Sequence, residues 1–102
     1  MIYVTQLIFV KEGKEEKFLE FERQAIPVME KYNGKMLYRL RPAREDFIDL
    51  EGESPYEIHF ISFDTDRDLD AFLKDDSRLK YVHLKDESVK SILLIIGEKM
   101  SR

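Results

Sequence analysis

The apolar residues of this chain recur with a period of two, then of about 3.6 residues, then of two again, and the cycle runs twice, which restricts the folds open to it. Tyr3 to Val10 is rich in β-branched and aromatic residues. Its apolar side chains fall on both alternating faces, Ile2, Val4, Ile8 and Val10 opposite Tyr3, Leu7 and Phe9, with Thr5 and Gln6 the polar exceptions. That pattern predicts a strand covered on both sides. After the turn Lys11-Glu12-Gly13-Lys14, the residues Phe18, Phe21, Ala25, Val28, Met29 and Tyr32 recur at helical steps, with Glu15, Glu16, Lys17, Glu20 and Arg23 on the wet side. Pro27 lies in this stripe and predicts a kink near Gln24 to Pro27, because it removes a hydrogen bond and crowds the preceding turn. Asn33-Gly34 supplies residues that tolerate left-handed backbone, and ends the helix.

Met36 to Arg41 alternates Met36, Tyr38 and Leu40 against Leu37, Arg39 and Arg41, a second strand closed by Pro42. Ala43 to Pro55 is acidic, aperiodic and carries Gly52 and Pro55, so a long loop is expected there, with Phe47, Ile48 and Leu50 able to fold back. Tyr56 to Phe63 is the third strand. Asp64-Thr65 with Asp68 resembles a capping box, and Leu69, Phe72 and Leu73 give a second helix its core face. The phase breaks at Asp75-Asp76-Ser77, so Arg78 to Leu84 is expected as a separate short helical piece. Ile92 to Ile96 is the fourth strand, ended by Gly97.

Strand, helix, strand, strand, helix, strand is the split β-α-β order, predicting an α+β fold of ferredoxin-like β-α-β-β-α-β type. Its four-stranded antiparallel sheet carries both helices on one face. Right-handed crossovers put the first and third strands in the centre and the second and fourth at the edges. With 102 residues, 1–102 reads as a single domain around one core. The absence of cysteine excludes disulfides, thiolate metal sites and cysteine nucleophiles. The segment MIYVTQLIFV reads as a strand rather than a signal peptide, and no apolar run approaches the roughly 20 residues of a membrane span. A cytoplasmic location is therefore expected, with no membrane partner. A net charge of -4 lacks the general attraction to phosphate backbones, so no nucleic-acid partner is expected either.

The edge strand Ser91 to Ile96 is apolar on both faces, which left bare would invite aggregation. The sheet face away from the helices is expected to carry Leu37, Ile61, Phe63 and an apolar row of the first strand, more than a monomer leaves in water. Both difficulties disappear in a homodimer stacked sheet against sheet.

The run from Gly13 through Phe18, Phe21 and Pro27 to Asn33-Gly34-Lys35-Met36-Leu37-Tyr38-Arg39, followed by Tyr56 to Thr65, resembles the dimeric α+β barrel superfamily over nearly the whole chain. The likeness is to its small uncharacterised domains, and more distantly to antibiotic biosynthesis monooxygenases, haem-degrading enzymes, muconolactone isomerases and chlorite-dismutase relatives. It implies a dimeric α+β barrel; it transfers no chemistry.

Strand alternation puts Arg39 and Arg41 on one face and Glu57 and His59 on one face. If the two coincide across the hairpin, these side chains point away from the helices into a barrel interior, with Gln6 or Thr5 beside them. There His59 could take a proton from an acidic carbon or phenol while Arg39 holds the developing oxyanion, which makes these two the candidate catalytic residues. Gln6, Arg41, Glu57 and His83 are the candidate ligand-binding residues. His83 enters by resemblance, because haem-degrading and monooxygenase relatives use a histidine on the second helical segment. Those relatives also use a tryptophan and an asparagine, where this chain offers Phe63 and Gln6 and has no tryptophan. The competing reading makes Glu57 a cross-strand ion-pair partner of the arginines and His59 a satisfied interface histidine. Lys35, Arg39, Arg41 and Arg44 could draw an anionic metabolite or simply protect an edge strand. The histidines and acidic residues show no metal-ligand spacing, so neither metal nor cofactor is expected. The expectation is a homodimer that binds a small aromatic or carboxylated metabolite, with isomerase, lyase or oxygenase chemistry open to it. The alternative is a non-enzymatic dimer whose interior is sealed core.

Overall fold

The computed structural model describes residues 1–101. The strands are β1 (Ile2–Val10), β2 (Gly34–Leu40), β3 (Glu57–Phe63) and β4 (Val89–Gly97), and the helices are α1 (Glu15–Met29), α2 (Asp66–Leu73), α3 (Asp76–Leu79) and α4 (Val82–Ser88). All strand pairs are antiparallel and the sheet order is β2-β3-β1-β4, with β1 and β3 central as the crossover rule requires. The chain is a ferredoxin-like α+β fold.

Helix α1 runs through Pro27 and passes into one 3-10 turn, Glu30–Tyr32, before Asn33 takes the left-handed conformation at φ 60°. Gly34 follows because nothing larger fits. A Cβ there would lie 2.6 Å from a Phe63 ring carbon and 3.0 Å from the Met29 carbonyl oxygen. Thr65 caps α2, its hydroxyl accepting from the Asp68 N–H at 3.1 Å. The expected helical piece from Arg78 to Leu84 resolves into two, because Asp75 caps its own short helix by accepting from the Arg78 N–H at 3.1 Å, and α4 begins anew after Lys80-Tyr81. In the acidic loop Arg44–Asp46 forms a single 3-10 turn, and Ile48 is fully exposed rather than folded back.

One expectation about the sheet is reversed. Glu57, His59, Ile61 and Phe63 share the face beneath the helices and are all buried, whereas Ile58 and Phe60 take the open face. Each row of β3 mixes apolar and polar residues, so alternation alone does not say which one the helices cover. Packing at its C-terminal end decides the matter. Phe63 sits 5.7 Å from Phe72 of α2, in a core cluster with Ile2, Val4, Val28, Met29 and Ile61, and turns its ring into the space Gly34 leaves free. Leu37 is the extra residue of an irregularity between Met36 and Tyr38.

The open face keeps its own apolar surface. Phe60 stacks between Tyr3 and Tyr38, ring centroids 5.5 and 5.9 Å away, and Leu7, Leu40, Ile58, Leu93 and Ile95 continue the layer. Leu93, Leu94, Ile95 and Ile96 are each about half exposed, so β4 is undercovered on both sides.

Candidate functional site

Across the helix-covered face, the registers Arg39 to His59, His59 to Gln6 and Gln6 to Leu94 make one row running over all four strands. Apolar rows flank its centre, Met36, Ile61, Val4 and Ile96 on one side and Ile8 and Ile92 on the other. The polar groups at the centre are thus set into a greasy floor. Above them is a cavity of about 170 Å³, floored by Val4, Gln6, Ile8, His59 and Ile61 and roofed by Phe18, Phe21, Glu22 and Ala25 of α1. Arg78 of α3 and Lys85 of α4 reach its lining from the side, and Ile92, Leu94 and Ile96 of the undercovered strand complete it.

Behind His59 is a charged cluster centred on Glu57. Its Oε1 accepts from Arg39 Nε at 2.9 Å and lies 2.8 Å from His59 Nε2, while Oε2 accepts from Arg41 Nη2 at 2.6 Å and Nε at 3.2 Å, and from Arg39 Nη2 at 3.3 Å. Burial by itself would raise the Glu57 pKa. The hydrogen bonds from His59, Arg39 and Arg41 outweigh it and bring the carboxyl down to about 2, so Glu57 is ionised at neutral pH. An ionised carboxylate only accepts, and in the neutral imidazole Nε2 therefore carries the hydrogen that points at it. Nδ1 is then the bare nitrogen of a ring that lines the cavity, and it makes no hydrogen bond among the described residues.

Of the residues expected from sequence, His59 and Gln6 meet at the cavity floor, and Thr5 lies on the opposite face with Tyr3, Phe60 and Ile95. Arg39, Arg41 and Glu57 gather as anticipated, but beneath the helices and not in a space between sheets. The guanidinium of Arg39 is engaged by Glu57 through two nitrogens, which directs it to the carboxylate behind His59. His83 is exposed on the outer side of α4; Lys85, two residues on and so across the helix, reaches the cavity instead. Among the described residues no group of His, Asp and Glu could hold a metal ion, and no helix is long and apolar enough to cross a membrane.

Three ionisable residues at the cavity were not anticipated. Glu22 continues the buried stripe of α1, four residues after Phe18 and three before Ala25, and that spacing is a signal visible in the sequence. Burial raises its pKa, opposed by the charge of His59 when that ring is protonated and by the charge of Arg39. Arg78 lies with its guanidinium carbon 5.7 Å from the Phe21 ring centroid and 5.3 Å from that of Phe72, and Nη1 donates to the Leu73 carbonyl at 3.2 Å. Burial lowers its pKa, and burial followed by the charge of Arg78 lowers that of Lys85.

No family model and no curated protein matches the chain. Solved structures do. A protein of unknown function from Rhodopseudomonas palustris superposes with a TM-score of 0.83 at 14% identity, over 99% of this chain and 83% of that one. A candidate antibiotic biosynthesis monooxygenase from Nitrosomonas europaea gives 0.73 at 15%, over 99% and 100%. A structure from Bacteroides fragilis, described as a dimeric protein of unknown function with a ferredoxin-like fold, gives 0.70 at 12%, over 96% and 95%. At such identities the likeness is one of fold, and the fold is ferredoxin-like.

Proposed function

We propose that the chain is one protomer of a homodimer that binds a small, single-ring aromatic or carboxylated metabolite in the cavity between sheet and helices, and that His59 acts there as a cofactor-free general base. The observation that carries this reading is a buried histidine whose Nε2 is held by an ionised carboxylate while Nδ1 belongs to a ring lining a cavity. A base needs a lone pair aimed at the substrate and a partner that steadies the cation formed on protonation, and Glu57 is that partner. Arg39 and Arg41 are positioning residues, keeping Glu57 charged and in place. Size supports the ligand class: a cavity of ~150 Å³ lined by apolar side chains takes up benzene, and this one is about 170 Å³. The dimer is supported by the apolar open face, by a β4 half exposed on both sides, and by the fold shared with a structure described as dimeric.

Proton abstraction from a carbon beside a carbonyl can be read directly as exchange of that hydrogen in D2O. With cyclohexanone and phenylacetone as probes, the protein accelerates exchange, and His59→Gln loses at least ~100-fold, the low end of a general base's contribution. His83→Gln, altered outside the cavity, exchanges like wild type. Exchange no faster than in buffer, or indifferent to His59→Gln, removes the base. If, in addition, neither compound shifts the NMR signals of cavity residues, the interior is sealed core and the protein is a non-enzymatic dimer.

A further inference from the structure

Two charged side chains at the cavity are more than nine-tenths buried and make no direct ion pair among the described residues, although the charges of Glu22 and Asp86 both act on Arg78. Arg78 is 8% exposed and takes part in none of the ion pairs among the described residues; its one side-chain hydrogen bond is the donation from Nη1 to the Leu73 carbonyl. Glu22 is 7% exposed and its carboxyl makes no hydrogen bond among the described residues. Lys85, the third ionisable group at this wall, is likewise unpaired. A buried guanidinium without a carboxylate is costly, and protein interiors ordinarily supply one. Glu57 is an example within this chain, with two arginines and a histidine converging on it.

In the cavity lining the wall holds two cations against the one carboxyl of Glu22, with the charge of Asp86 acting on both cations from outside the lining. All three groups are displaced toward their neutral forms by burial, which outweighs the opposite charges around them. What Arg78 lacks, among the described residues, is a carboxylate in direct contact. The rings of Phe21 and Phe72 lie beside the guanidinium of Arg78, and the planar fork of an arginine suits a planar carboxylate.

We propose that Arg78, with Lys85 beside it, is the anion subsite of the cavity, and that the ligand is a single-ring carboxylate whose carboxyl group sits on Arg78 while its other end lies toward His59. This rests on the cavity reading above and narrows it from aromatic or carboxylated to a carboxylate, with Glu22 as the neighbour that chooses among ring substituents by hydrogen bonding.

The test compares benzoate with benzamide, nearly equal in shape and different in charge, by NMR titration of the full chain at pH 7. Benzoate binds at least ~10-fold more tightly, the loss of one charge-assisted hydrogen bond being of that size. Arg78→Met abolishes the preference while benzamide affinity stays within ~2-fold, and Arg78→Lys restores part of it. If Arg78→Met does not fold, Lys85→Met weakens benzoate selectively, and raising NaCl from 20 to 500 mM weakens benzoate and leaves benzamide unchanged. Equal binding of the two compounds, or a preference that survives both substitutions, overturns the anion subsite and leaves the cavity standing. Binding of neither compound overturns both together.

Discussion

Replacing Glu57 by Gln keeps the side chain's size and one acceptor oxygen, and removes the charge on which Arg39, Arg41 and His59 converge. The cost follows from linkage. The carboxyl titrates near 4.5 when unperturbed and at about 2 in the folded chain, and each unit is worth about 1.4 kcal/mol, which gives roughly 3 kcal/mol. The side chains of Arg39 and Arg41 are 36% and 50% exposed, so water screens part of this; about 2 kcal/mol remains. For a domain of this size that is a fall in Tm of roughly 8–16 °C at pH 7. Because the folded pKa is depressed, the stabilisation is complete above about pH 4.5 and is lost as the pH falls toward 2. Wild type and Glu57→Gln therefore differ at pH 7 and converge near pH 2. Thermal melts of both proteins at one protein concentration, stepped between these limits, measure the difference directly. A gap of equal size at pH 7 and pH 2 would refute the reasoning, because packing and not charge would then account for it; no gap at pH 7 would refute it as well.

Three further outcomes are expected. Glu22→Gln raises Tm at neutral pH, because a carboxyl whose folded pKa is raised costs stability as the pH climbs above its unfolded value; wild type should lose stability with rising pH above about 4.5 relative to the variant, and parallel profiles would count against it. Gly34→Ala destabilises by about 2 kcal/mol through overpacking, since the new Cβ meets the Phe63 ring at 2.6 Å; unchanged urea unfolding would show that the ring moves aside freely. Leu93→Asp, on the open face of β4, yields a monomer in sedimentation equilibrium, and a wild-type chain that is already monomeric at micromolar concentration removes the sheet-to-sheet dimer.

The element order, the central placement of β1 and β3, the Asn33-Gly34 stop and the Thr65 cap were legible because each depends on local chemistry or on a general rule of chain handedness. The grouping of Arg39, Arg41, Glu57 and His59 was legible too, since alternation across a hairpin brings such residues together whichever way the sheet faces. The direction in which they face was not. It depends on Phe63 meeting Phe72 beneath the helices, a contact between residues whose separation in space no periodicity reports. Glu22 was readable from its place on the α1 stripe, where a carboxyl stands in line with Phe18 and Ala25. Arg78 and Lys85 come after the phase break at Asp75-Asp76-Ser77, beyond which two short helices of independent phase leave no stripe to be measured against.

Strand β4 has a consequence for register. In Leu93-Leu94-Ile95-Ile96 the cavity-facing and open-facing rows are chemically near-identical, so sliding the strand by one residue along β1 would exchange the rows at almost no cost in apolar burial. Hydrophobic patterning thus cannot hold β4 in place, and the task passes to its ends. Gly97 sits opposite Tyr3 at one end; at the other, Ser91 pairs with Phe9 and the Lys11 N–H is anchored on the Ser88 carbonyl at 2.8 Å, with an irregularity between Phe9 and Val10 absorbing the offset. A slip would carry Ser91 round to the cavity side and pull Ser88 from its anchor. The alignment of Leu94 with Gln6 and His59 is therefore secured by polar and backbone contacts at the strand ends, far from the cavity they define.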